Sequence, residues 1–158
     1  MASYRTVRPD DASAVFRVLT QVAPEIPLLL DKPERRRPIR ELVGQCCGGK
    51  TSWVALNDNV KIIGFLLGRP SRWHVAIVDN EPSGVELLYG GMQKTHRDQG
   101  QFSGLLVRAK ALGKPLYAVV KHSNKSDMAA RLLRTGFVKQ GASTFSDEDA
   151  FIWTPSAR

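Results

Sequence analysis

The chain has 158 residues, of which 42% are hydrophobic and 24% charged, and its formal net charge is +8. That length suits a single domain spanning residues 1–158 with a real core, and the composition is that of a soluble globular protein. No apolar run is long enough to cross a bilayer, which excludes a membrane-spanning helix and makes a membrane partner unexpected.

The opening MASYRTVRPDD has no apolar signal region, so the expected location is cytoplasmic. The excess of 23 Lys and Arg over 15 Asp and Glu favours an anionic partner, either a nucleic acid, a membrane surface or a phosphorylated cofactor. In chain order, YRTVR (4–8) reads as a first strand, which Pro9 and Asp10 stop before a helix begins. Ala14, Val15, Val18, Leu19 and Val22 form one helical stripe, and Pro24 and Pro27 end that helix. DKPERRRPIR (31–40) is the densest basic run; Asp31 and Glu34 dilute it, and it reads as a solvated helix face or loop. The second helix is expected between Glu34 and Val43, closed by Gly44.

Cys46 and Cys47 are neighbours, too close for an unstrained disulfide, and no His/Cys cluster with metal spacing surrounds them. They read as two reduced thiols near a loop, and no metal centre is expected. TSWVAL (51–56) and VKIIGFLLG (60–68) read as strands joined by the turn NDN (57–59). WHVAIVD (73–79) is extended in pattern, with Trp73 and His74 as residues that could face a substrate groove, and NEPSG (80–84) is turn chemistry. VELLYGGMQ (85–93) is a strand whose paired glycines suggest a bulge or a close backbone approach.

Phe102, Leu105, Leu106, Ala109 and Leu112 then recur at helical spacing, with Gly113 as the end cap. PLYAVVK (115–121) is a near-continuous apolar strand, as in a buried central position. SDMAARLLRTG (126–136) reads as a helix with Ser126 as cap, Asp127 in the first turn and Gly136 at its end. FVKQ (137–140) and DAFIWT (149–154) close the chain as strands. Trp53 and Trp153 are expected in the core or at its rim.

The stretch THRDQGQFSGLL (95–106) joins strand to helix. Backbone amides of residues 97 to 103, ending at Ser103, then meet the positive end of a helix dipole, where a diphosphate fits. Gly100 lets the backbone approach closely, and Arg97 and His96 can add charge. A basic residue and a glycine before a helix also make an ordinary cap. Neither G-x-x-x-x-G-K-[ST] nor G-x-G-x-x-G occurs.

With these elements in this order, the whole chain resembles the GNAT superfamily of acyl-CoA-dependent N-acyltransferases. YRTVRPDDASAVFRVL is similar to that family's first strand and helix, and SNKSDMAARLLRTGFVKQG to its late helix followed by a Gly-Phe pair. The family's diphosphate pattern, Gln/Arg-x-x-Gly-x-Gly/Ala, falls on Arg97, Asp98, Gln99, Gly100, Gln101 and Phe102. The last position departs from the pattern: the ring of Phe102 must turn into the core beneath the helix if a diphosphate is to lie against the backbone.

The resemblance implies an α/β (α+β) fold, a mixed, mostly antiparallel central sheet of six to seven strands flanked by about four helices. It also implies acetyl-CoA as cosubstrate, a small-molecule or peptide amine as acceptor, direct attack in a ternary complex, and a homodimer as one assembly option. A lysine-like amine, of pKa about 10.4, is deprotonated in only roughly one molecule in a thousand at pH 7. Such chemistry therefore needs a base, a carbonyl polariser and an acid for the thiolate.

By resemblance Glu86 is the base, the Met92 amide polarises the carbonyl, and Gln93 adds contacts to the pantetheine arm. The family's acidic tyrosine position holds Leu132, so Tyr117, His122, Ser123 or Tyr89 would have to substitute. Asn124 lies one residue from a family asparagine that contacts the cofactor, and a turn or cap role explains it equally well. Two alternatives stay open. One is a GNAT-fold protein that binds coenzyme A without catalysis; the other is a nucleic-acid- or tRNA-directed protein, motivated by charge alone.

Overall fold

The computed structural model describes residues 2–26, 28–71, 84–97, 100–142 and 147–156. The segment around Trp73 and His74 lies outside the described residues, as do Pro27, Asp98 and Gln99.

The elements follow in the order β1 (Ser3–Thr6), a 3-10 turn (Pro9–Asp11), α1 (Ala12–Val22), α2 (Pro33–Cys47), β2 (Trp53–Leu56), β3 (Ile62–Ser71) and β4 (Gly84–Met92). A short 3-10 turn (Lys94–His96) precedes α3 (Gln101–Lys110), β5 (Leu116–Lys121), α4 (Met128–Arg134), β6 (Val138–Ala142) and β7 (Glu148–Trp153). The seven strands form one sheet in the order β1-β2-β3-β4-β5-β7-β6. All neighbouring strands pair antiparallel except β4 and β5, which are parallel. The expected α/β architecture and mostly antiparallel sheet are therefore present.

Strand alternation splits the core into two layers. Trp53, Ala55, Ile63, Leu66, Val85 and Leu87 face one side, where they meet Phe102, Leu105, Leu106 and Leu132 of α3 and α4. Val54, Leu56, Ile62, Phe65 and Leu67 face the other side and meet Val15, Phe16, Val18, Leu19 and Val22 of α1 and Val43, Cys46 and Cys47 of α2. Each fully buried Leu or Phe contributes about 1.5–3 kcal/mol relative to exposure.

Three local expectations are corrected. Helix α2 does not close at Gly44 but runs to Cys47, because Val43, Cys46 and Cys47 recur on the face that packs on the sheet. The two thiols are free and buried in the last turn of α2, next to the connection to β2, and burial pushes Cys47 up to about 11. Ser126 does not cap α4: its amide and hydroxyl both donate to Asn124 Oδ1, while Asp127 stands at the cap position with φ +61°. The return strand starts at Ile62 rather than at residue 60, because Asn57 Oδ1 accepts from the amides of Asn59 and Lys61 and lengthens the turn. Elsewhere the punctuation holds: Phe137 N–H donates to Leu132 O and Gly136 N–H to Leu133 O, the paired bonds of a Schellman ending.

The feature that matters for function lies at the middle of the sheet. In β4, Leu87 pairs with Gly68 and Tyr89 with Leu67, which leaves Leu88 as a bulge. Beyond the bulge β4 stays with β3 as far as Met92, and β5 stays with β7 as far as Lys121. Between them, β4 and β5 pair only at Val85–Leu116, Glu86–Tyr117 and Leu87–Ala118. The two strands then part, opening a gap in the sheet.

Candidate functional site

An apolar groove fills this gap. Its walls include Leu88, Tyr89 and Gly90 of β4, Val119 and Val120 of β5, and Met128 and Leu132 of α4. It continues past Gly91, Glu25 and Arg97 into a cavity of about 320 Å³ at the start of α3. Phe102 borders every part of this path, and Met92, Arg97 and Arg131 border its polar end.

The polar end is built by the turn singled out in the sequence. Gly100 sits at φ +76°, a conformation that L side chains rarely adopt, and it starts α3 with no side-chain cap. The first intrahelical bond there is Gly104 N–H to Gly100 O. The amides of Gln101, Phe102 and Ser103 therefore have no acceptor within the helix. Ser103 and Gln101 line the cavity beside His96. The ring of Phe102 points away into the core: the residue is 2% exposed, and a Cβ added at Gly90 would lie 2.9 Å from its Cε2. The bulky residue at the last motif position thus turns its ring away from the start of α3, and β4 can pass over the ring only because residue 90 is glycine.

Arg97 takes a part the sequence did not indicate. Its Nη1 donates to Glu25 Oε1 at 2.8 Å, its Nη2 lies 2.7 Å from Glu25 Oε2, and its Nε donates to the Met92 carbonyl. The pair clamps the turn after α1 to the turn before α3, and Lys125 N–H donates to the Glu25 carbonyl as well. Arg97 therefore lines the cavity with its charge matched by a carboxylate.

The Arg97 guanidinium holds the Glu25 carboxyl below its ordinary value, and the Arg5 guanidinium does the same for Asp11. Both groups bind protons less readily folded than unfolded, so their stabilisation is complete above the ordinary carboxylate range and is lost as pH falls through the depressed values. Urea midpoints should accordingly fall below about pH 4, and this acid slope should flatten in Glu25→Gln and Asp11→Asn. An unchanged slope in both variants would contradict the assignment.

The other expected site residues are distributed unevenly. Glu86 lies on β4 just before the groove wall, with Arg69 Nε donating to its Oε2 at 3.1 Å. Tyr117 is its neighbour on β5, buried against Gly84, and burial raises its hydroxyl. Tyr117 does not line the groove; Tyr89 does, and burial raises its hydroxyl too. His122 turns out of the groove: it is 54% exposed and its Nε2 sits 3.2 Å from Asp149 on β7. Met92 lines the polar end, its carbonyl occupied by Arg97. Gln93 has both backbone groups bonded, its amide to Ile63 O and its carbonyl to His96 N–H. Asn124 borders the apolar groove while making the turn before α4. Among the described residues no group of three His, Cys, Asp or Glu could hold a metal ion.

Glu25, Arg69, Met128, Arg131 and Arg134 were not singled out from sequence. Each reads locally as an ordinary surface or helix residue, and only the closing of the sheet brings Glu25, Met128, Arg131 and Arg134 to the groove and Arg69 to Glu86.

No family model and no curated protein matches the chain. Solved structures do. The PaiA N-acetyltransferase of Thermoplasma acidophilum, crystallised with coenzyme A, is 15% identical at a TM-score of 0.71, covering 98% of this chain and 99% of that one. A GNAT-family acetyltransferase of Bacillus cereus is 19% identical, with a TM-score of 0.67 over 99% of each chain. NAA60 of Arabidopsis thaliana, in complex with acetyl-CoA, is 16% identical, with a TM-score of 0.71 over 98% of this chain and 99% of that one. The chain has the fold of these GNAT acetyltransferases.

Proposed function

We propose that this chain is an acetyl-CoA-dependent N-acetyltransferase acting on a primary amine. The observation that carries the reading is the parting of β4 and β5 next to adjoining hollows, which share Phe102 as a lining residue and run from Leu87, the residue after Glu86, to the start of α3. The residues along it fit the cosubstrate chemically. Amides at a helix start and basic side chains suit a diphosphate, and the apolar strand gap suits a pantetheine arm. The coenzyme A complex of the Thermoplasma neighbour and the acetyl-CoA complex of the Arabidopsis neighbour support the same ligand class.

In this reading Glu86 takes the proton from the attacking amine, directly or through a water. The new C–N bond forms as the C–S bond breaks, and the leaving thiolate is reprotonated by a group in the groove. Tyr89 suits that last step better than His122 or Tyr117, because it borders the groove and burial keeps its hydroxyl protonated at neutral pH. Leu132, buried at the family's tyrosine position, offers no proton.

The test is calorimetric titration with acetyl-CoA, followed by turnover with an amine panel. Saturable binding at one site per chain with acetyl transfer is expected. Gly100→Ala should cost about 1–2 kcal/mol of stability, because φ is positive there, and should weaken acetyl-CoA binding by disturbing the amides of the turn. Binding without turnover would favour a ligand-binding protein of this fold, and absence of binding would defeat the reading.

A further inference from the structure

We propose that Arg131 of α4 is the side chain that holds the diphosphate of the acyl carrier, seated on the ring of Phe102. The assignment rests on the acyl-CoA reading above.

The cavity at the start of α3 is lined by four basic residues, His96, Arg97, Arg131 and Arg134, and by no acidic one among the described residues. Their charges are not equally available. Arg97 is matched by Glu25 at 2.7 Å. Arg134 lies 3.5 Å from Asp127, in a pair open to solvent on both sides. The His96 ring contacts Thr95 Oγ1. Arg131 makes no ion pair among the described residues, and its Nε is buried without a hydrogen-bond partner.

A buried guanidinium N–H left without an acceptor is unfavourable unless a ligand supplies one. Arg131 borders both the polar cavity and the adjoining part of the groove, and so stands where a diphosphate would pass into a pantetheine arm. Its Cζ lies 5.4 Å from the centroid of the Phe102 ring, within cation–π range. The planar guanidinium is held by this stacking and can present parallel N–H donors to phosphate oxygens. Phe102 thus acquires a positive role: the residue that breaks the small-residue pattern of the turn serves as the platform for a cation from another helix.

The experiment titrates the parent protein, Arg131→Gln, Arg131→Lys and Arg134→Gln with coenzyme A and with 3′-dephospho-coenzyme A, and records the melting temperature of each free protein. Arg131→Gln should weaken both ligands by the same factor, on the order of tenfold to a hundredfold. Its melting temperature should be unchanged. Arg131→Lys should recover only part of the loss, since an ammonium lacks the fork and the stacking. Arg134→Gln should weaken both ligands less than Arg131→Gln does, since Arg134 is more exposed and Asp127 partly matches its charge. In phosphorus NMR of the bound ligand, Arg131→Lys should move the diphosphate resonances and leave the 3′-phosphate in place.

Equal affinity in Arg131→Gln and the parent overturns the proposal. So does a loss confined to coenzyme A, which would put Arg131 at the 3′-phosphate. A matching fall in melting temperature, with diphosphate resonances unmoved in Arg131→Lys, would make the residue structural and also overturn it. If the parent itself binds neither ligand, the acyl-CoA reading fails first, and that outcome is distinct from all of these.

Discussion

Glu86→Gln should lower acetyl transfer at neutral pH on the order of 10²–10⁴-fold, the usual contribution of a positioned general base. The amine must lose a proton before or as it attacks, and at pH 7 only roughly one molecule in a thousand has done so unaided. Glu86 stands immediately before the groove wall of β4, and Arg69 fixes one of its oxygens at 3.1 Å. The amide of glutamine keeps the shape and removes the basicity. Acetyl-CoA affinity should therefore be retained, because no described contact of Glu86 reaches the cavity at α3. The residual rate should climb about tenfold per pH unit as free amine accumulates. Stopped assays from neutral to alkaline pH would decide the matter. Equal rates for the two proteins throughout would reduce Glu86 to a strand-edge ion pair with Arg69.

Phe102→Ala should cost about 3–5 kcal/mol of folding stability, even though it moves the turn toward the small residue that the family pattern carries. In this chain the ring is part of the core. It is 2% exposed, lies in the same cluster as Leu66, Leu105 and Leu132, and fills the space above Gly90. Truncation leaves a void between α3 and β4 and removes the platform under Arg131. Urea unfolding measures the first consequence. If Phe102→Ala were as stable as the parent, the ring would not be the packing element described here.

The outcome at this position shows where a sequence pattern stops being informative. The spacing of Phe102, Leu105, Leu106 and Ala109 identifies a helix face and implies that the ring is buried. It does not say what lies beneath. That depends on Gly90, a residue of a different strand, and on the bulge at Leu88 that sets which way β4 faces afterwards.

Glu25 and Arg97 make the same point over a longer range. They are 72 residues apart, and nothing near either one marks a partner. An arginine before a helix-opening glycine reads as a phosphate ligand because local chemistry supports that role. The carboxylate that neutralises it arrives only when α1 and β4 pack together. His122 is a converse case: a histidine at a strand end looked available for proton transfer, and the pairing of β5 with β7 turns it toward Asp149 and away from the groove.

The sequence by itself determined the order of seven strands and four helices, most helix stripes, the turn at Gly100 and the ending at Gly136. These follow from periodicity and backbone sterics, which act over a few residues and are written locally. Tertiary structure alone decided the parting of β4 and β5, the charges left uncompensated at the α3 cavity, and the placing of Arg131 over Phe102. Those depend on register and on contacts between elements far apart in the chain, and a shift of one residue in register would reverse which side chains meet.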